Sequence, residues 1–209
     1  MLKSSAITGK KFFVSFSLKK IDLFKILFLL FTFSFLFGTI LICVNYTDTI
    51  NQLNFLMQKF LKNRVEQSIF ITFFSSFFSS AISIIVLFFL GFFPLGQPVG
   101  FFMPVFHGLG LGLSTAYLYS FRGLKGIIFS ILIVAPPEII HTLILILSAK
   151  FSIKFSNNNF KNLFPEKFKQ RNKEVVKLYV KRFSYLICLE LIAALTDSIT
   201  TFLFARFLK

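Results

Sequence analysis

Long apolar runs alternate with two polar stretches along this chain. Hydrophobic positions are nearly continuous over about 23–44, 68–93, 99–121, 126–149 and 183–204. An apolar run of about 20 residues is long enough to cross a bilayer as a helix, which satisfies its own backbone where no water is present. The pattern predicts an all-α, polytopic transmembrane bundle of about five spans, forming a single integral membrane domain over 1–209. Residues 45–67 are polar, yet Leu53, Leu56, Met57, Phe60, Leu61 and Val65 recur at helical spacing. That spacing predicts an amphipathic helix lying on the membrane, on the bundle or against a partner.

Local signals refine the spans. The first has a basic approach like a signal peptide, but its apolar core is too long and no small-x-small cleavage site follows, so it is expected to stay as an anchor. PLGQP at 94–98 separates the second span from the third, and Pro104 is expected to kink the third near its start. The third and fourth spans fold back on each other through SFRGLKG, with Gly123 and Gly126 at the turn. Serines in FFSSFFSS allow close helix contact and can back-bond to carbonyls one turn earlier. In 150–182, Asn157, Asn158 and Asn159 mark a loop, and a helix is expected from Glu166 to Lys181, running into the last span.

Charge orients this layout. Of 209 residues 56% are hydrophobic, and the formal net charge is +15. The positive charge flanks the spans, as expected for the positive-inside rule and for attraction to anionic lipid, so nucleic acid is not an expected partner. Residues 1–20 carry Lys3, Lys10, Lys11, Lys19 and Lys20, and 150–182 holds ten Lys or Arg against Glu166 and Glu174, a net of +8. Four spans separate these basic segments, so both are placed in the cytoplasm together with the N-terminus, and 45–67 (net about +1) outside. The 34 phenylalanines read as compositional drift, and Cys43 and Cys188 as small apolar membrane residues outside any disulfide or metal pattern.

Polar groups at bilayer depth are the candidate chemistry, because each is costly there unless paired. His107, Glu138, His141, Glu190 and Asp197 all fall inside predicted spans. Glu138 and His141, three residues apart, share a helix face. Glu190 and Asp197, two turns apart, share one with Ala193 and Ala194, and the expected arrangement points both faces inward with His107 from span three. Three readings compete for this buried polar cluster: a hydrogen-bonded group that fixes packing, an ion-coupled permease, and a metal site or intramembrane hydrolase. The last lacks an HExxH or a second Glu-x-x-His, so no metal, no other cofactor and no catalytic residue is assigned. Gly108 and Gly112 present a small-residue face, expected to pack spans three and four together.

HGLGLGLSTAYL from His107 and RGLKGIIFSILIVAPPE from Arg122 to Glu138 resemble the stage II sporulation protein M family. The matching positions are Gly108 and Gly112 in the glycine span, Gly123 and Gly126 in the turn, and Pro136. Wider relatives often show Pro-His-Gly and then a Glu one turn on. Here Pro137 and Glu138 follow Pro136, with His141 beyond, so no role for that pair is carried over. The resemblance implies a multi-pass protein of the mother-cell membrane at the sporulation septum. It implies a non-enzymatic scaffold that localises septal peptidoglycan-degrading proteins during forespore engulfment, in contact with membrane lipid. The alternative is the membrane subunit of an ABC-type or ion-coupled transporter. Oligomeric state is left open.

Overall fold

The computed structural model describes residues 22–44, 54, 58, 67–94, 96–161 and 171–204. The expected basic tail, most of the amphipathic segment 45–67 with its Leu53–Val65 face, and Glu166–Gln170 lie outside the described residues. Among those described, all secondary structure is helical, and five helices are long and apolar enough to cross a membrane. Helix α1 is Leu23–Val44 and α2 is Ile69–Leu90. Next comes a helical stretch, Gly96–Phe129, whose backbone breaks at Gly123 (φ 53°, ψ −131°). The break divides it into α3, Gly96–Ser120, and the start of α4, Arg122–Asn158. The last helix, α5, is Arg171–Phe204. A positive φ is tolerated by glycine and strained for other residues, so Gly123 lets the chain turn without a loop. Pro104 leaves no such mark, and the non-helical backbone in this stretch falls at Gly123.

Each helix runs opposite to the one before it. One end of the bundle therefore gathers Asp22, the turn after α2, the end of α4 and the start of α5, and the other gathers Gln67 and the Gly123 turn. The 22 residues of α2 span about 33 Å, close to an apolar layer, whereas α4 and α5 are longer and project past it at the Asp22 end. The stretch expected as a loop is largely the continuation of these two helices. The asparagines lie inside helix Ala135–Lys161, with Asn157 and Asn158 exposed. Tertiary packing overrides their weak helix propensity. Ser148, Ser152 and Ser156, each four residues apart, form one buried stripe there.

Two contacts set the arrangement. The first is α1 on α3. A Cβ on Gly108 would strike Ser34 Oγ and the Phe31 carbonyl, one on Gly112 would strike the Phe35 carbonyl, and one on Gly38 would come within 2.6 Å of the Leu109 carbonyl. Ser34-x-x-x-Gly38 thus meshes with Gly108-x-x-x-Gly112, backbone against backbone. The glycine face packs on span one, so the expected pairing with span four is corrected. The second contact clamps the end of α2, where side chains of α4 and α5 bond its last carbonyls, those of Leu87 and Phe93 in addition to the N–H groups of Gly91 and Gly96. Ser152 donates to the Leu87 carbonyl (2.8 Å), Tyr179 to that of Phe88 (3.0 Å) and Ser156 to that of Phe93 (2.8 Å). Around them Phe88, Phe92, Phe155, Tyr179 and Phe183 stack into an aromatic plug, with the Phe155 and Tyr179 ring centres 4.0 Å apart.

Outside the apolar layer, Lys150 Nζ bridges to Asp22 Oδ1 at 3.1 Å, tying α1 to α4. The Lys150 hydrogen bond, helped by the Phe24 backbone N–H, holds the Asp22 carboxyl below its ordinary value of 3.8. A lowered carboxyl favours the fold above that ordinary value and ceases to do so as pH falls through the folded value, so the tie is made at neutral pH.

The glycine mesh makes a direct prediction. Gly38→Leu and Gly112→Leu should each lower stability by about 1–3 kcal/mol through overpacking. Gly110→Leu, where a Cβ meets nothing within 4 Å, should melt like the parent in detergent. Equal melting temperatures for all three variants would contradict the packing described here.

Candidate functional site

The site begins with a defect in α4. Between Ser130 and Val134 the helix widens into a π turn, closed by a hydrogen bond from the Ala135 N–H to the Ser130 carbonyl. Pro136 and Pro137 follow at once. Proline supplies no N–H, so the carbonyls of Leu132 and Ile133 lose their usual partners four residues on. A π turn absorbs such a mismatch, and Thr200 Oγ1 of α5 lies 3.5 Å from the Ile133 carbonyl as a long replacement donor. Beyond the defect, Glu138 and His141 lie on a face turned toward α3 and α5.

The polar side chains meet across three helices. His141 Nδ1 donates to Glu190 Oε1 at 2.9 Å, joining α4 to α5 inside the bundle. Both are buried, Glu190 with 1% of its surface exposed. On the α3 side, His107 Nε2 lies 3.3 Å from Thr142 Oγ1 and 3.3 Å from Glu138 Oε2. The Glu138 contact is at ion-pair distance. The His107 and His141 rings meet edge to face, 4.9 Å apart. Four of the five polar residues thus form one connected chain, His107 with Glu138 and His141 with Glu190. Asp197, 1% exposed, sits two turns further along α5 and faces the same space.

That space is a cavity of about 360 Å³ between α2, α4 and α5. Glu138, His141, Glu190 and Asp197 line one wall, and Thr72, Ser75, Ser76, Ser79 and Ser80 of α2 line the other. Gln67 places it toward the Gln67 end. The serines of FFSSFFSS therefore do more than allow close helix contact: their hydroxyls form a polar wall at bilayer depth. Among the described residues, no three His, Cys, Asp or Glu side chains come together as a metal ion would require.

The family model of stage II sporulation protein M matches residues 27–201, most of the chain. The chain belongs to the stage II sporulation protein M family. Membership in that family implies a membrane protein of sporulation engulfment, and the five candidate spans make it a multi-pass one. No curated protein and no solved structure matches the chain.

The remaining predicted positions of this stage II sporulation protein M relative lie away from the cavity. Gly108 and Gly112 pack on α1, and Gly123 forms the turn. Gly126 lies against the Leu118 carbonyl, where a Cβ would clash. Pro136 borders the π turn. Residues that the sequence reading missed are Ser34 and Gly38, signalled by their four-residue spacing, and Thr142 and Thr200, for which the sequence carries no distinctive signal. Tyr117 is another: its hydroxyl donates to Asn54 Oδ1 and ties the polar segment 45–67 to α3.

The His141–Glu190 link can be tested as a pair. His141→Ala removes the donor from a buried carboxylate and should cost about 1–3 kcal/mol of stability in detergent. Adding Glu190→Leu should restore part of that loss, because no carboxylate is then left unmet. A double variant less stable than the single one, by the full sum of the two effects, would show that the residues act independently.

Proposed function

We propose that this protein is a membrane scaffold that localises septal peptidoglycan-degrading proteins while the forespore is engulfed. The observation that carries this reading is the family match over residues 27–201. A protein in this role holds partners in place and needs no reaction of its own. The architecture is compatible with it: five apolar helices anchor the chain, and polar segments flank them. We place the N-terminus and the basic ends of α4 and α5 in the cytoplasm, following the excess of Lys and Arg there. The segment 45–67 then lies outside, on the side where wall-degrading partners act, and we assign the septal membrane of the mother cell as its location.

A second reading, a subunit of an ABC-type or ion-coupled transporter, draws on one observation. A helix interrupted at bilayer depth beside buried carboxylates is a recurrent feature of substrate sites in membrane carriers. Here the Ser130–Val134 π turn and Pro136–Pro137 stand next to Glu138 and Glu190. The basic projection of α4 and α5 would be its docking surface for an ATPase.

The two readings differ in what the protein touches. Crosslinking of tagged protein in sporulating cells, followed by mass spectrometry, should recover secreted or membrane-anchored wall hydrolases. Removal of residues 45–67 should reduce that recovery severalfold while leaving the protein in the membrane. Recovery of a cytoplasmic ATPase without hydrolases would replace the scaffold by the transporter subunit.

A further inference from the structure

Where α4 and α5 leave the apolar layer, they hold cations in place at its edge. Asp22 directly precedes α1, whose 22 residues span about 33 Å, so its level marks that edge. Lys150 of α4 is fixed at this level, bridging Asp22 Oδ1 at 3.1 Å and lying 5.6 Å from the Phe24 ring centre. The next residue, Phe151, has the Arg182 guanidinium of α5 over its ring at 4.9 Å. Lys154 stands one turn beyond Lys150 and is exposed. Among the described residues, neither Lys154 nor Arg182 forms an ion pair with a carboxylate. Glu174, the other described acid at this end, lies more than two turns from Arg182 along α5. Asp22 thus answers one of three cations, and positive charge is left over.

Positive charge beside a span is ordinary, but these cations crown an apolar lane. Ile139, Leu143, Leu147, Lys150 and Lys154 recur at three- and four-residue steps and share one face of α4. Ile139 is 62% exposed and Leu143 42%, so the lane faces lipid. From Ile139 to Lys150 it runs about 16 Å, close to one leaflet of an apolar layer about 30 Å thick. A guanidinium meets phosphate oxygens in a fork, and a lysine meets them as a point charge. The rings of Phe24 and Phe151 hold Lys150 and Arg182 in position, which lowers the cost of gathering them around a phosphate. A zwitterionic headgroup brings its own cation into this group. A headgroup with net negative charge matches the surplus.

We propose that this lane is a binding site for an anionic glycerophospholipid. Its phosphate is held by Lys154 and Arg182 beside Lys150, and an acyl chain lies along Ile139, Leu143 and Leu147. The site stands apart from the scaffold role, which does not require it.

Thermal unfolding of the full-length protein in detergent, titrated with lipid at constant ionic strength, tests this directly. Dioleoylphosphatidylglycerol should raise the melting temperature saturably. Dioleoylphosphatidylcholine, with the same chains and no net charge, should not. Lys154→Gln and Arg182→Gln should each weaken the phosphatidylglycerol response about fivefold, and together at least tenfold. Lys154 is exposed, so its variant keeps the test open should Arg182→Gln, which loses the stack on Phe151, fail to fold. Lys173→Gln combined with Lys177→Gln removes the same charge from a different face of α5 and should leave the response unchanged. Glycerol phosphate, which has the phosphate without the chains, should give no shift at the same concentrations. Equal shifts from the two lipids, a full response in Lys154→Gln, equal weakening by the two double variants, or saturation by glycerol phosphate as tight as by the lipid would overturn the proposal.

Discussion

An apolar layer offers no water to a backbone carbonyl or a carboxylate, so every such group freed by the sequence must be met by another helix. This constraint accounts for most of the contacts between the spans. At the end of α2 the Phe88 carbonyl is met by Tyr179, and those of Leu87 and Phe93, besides their backbone partners Gly91 and Gly96, accept from Ser152 and Ser156, which fixes the ends of α4 and α5 against it. The carbonyls released by Pro136 and Pro137 are accommodated by a π turn and by Thr200. Where α1 meets α3, small residues let the backbones touch, since hydrophobic segregation cannot drive helices together in lipid. The apolar side chains mostly face outward: Phe70, Phe33 and Leu29 are among the most exposed residues, as lipid contact demands.

The two ends of the bundle consequently differ in character. At the Asp22 end, aromatic rings stack and basic helix ends project. Toward the Gln67 end, α2 turns hydroxyls toward the acids of α4 and α5, leaving a polar vestibule. His141 and Glu190 at its floor join α4 to α5, and His107 brings α3 into the same network. A protein that only holds others at a septum requires anchoring and stable packing. The vestibule is an additional feature, and it is built from residues that would be cheaper to replace by leucine.

Much of this arrangement was legible in the sequence because it rests on length and spacing. Apolar runs mark the spans, and three- and seven-residue separations place Glu138 with His141 and Glu190 with Asp197. Periodicity fixes which residues share a face, but not which helix that face meets. For this reason Gly108 and Gly112 could be recognised as a packing surface while their partner, Ser34 and Gly38 of α1, was not. Asn157 and Asn158 read as a loop because their intrinsic preference is weak, yet α4 continues through them once Ser152 and Ser156 are anchored on α2. The π turn follows from two adjacent prolines, whose effect on the preceding carbonyls depends on a donor from another helix.

The central claim is that a polar recess stands between α2, α4 and α5 at bilayer depth. Cysteine accessibility tests it most directly, in intact cells and with Cys43 and Cys188 replaced by alanine. Ser76→Cys on the cavity wall should react with a membrane-impermeant cationic thiosulfonate at least tenfold faster than Ile82→Cys, which faces lipid on the same helix. Equally slow reaction at both positions would contradict the account.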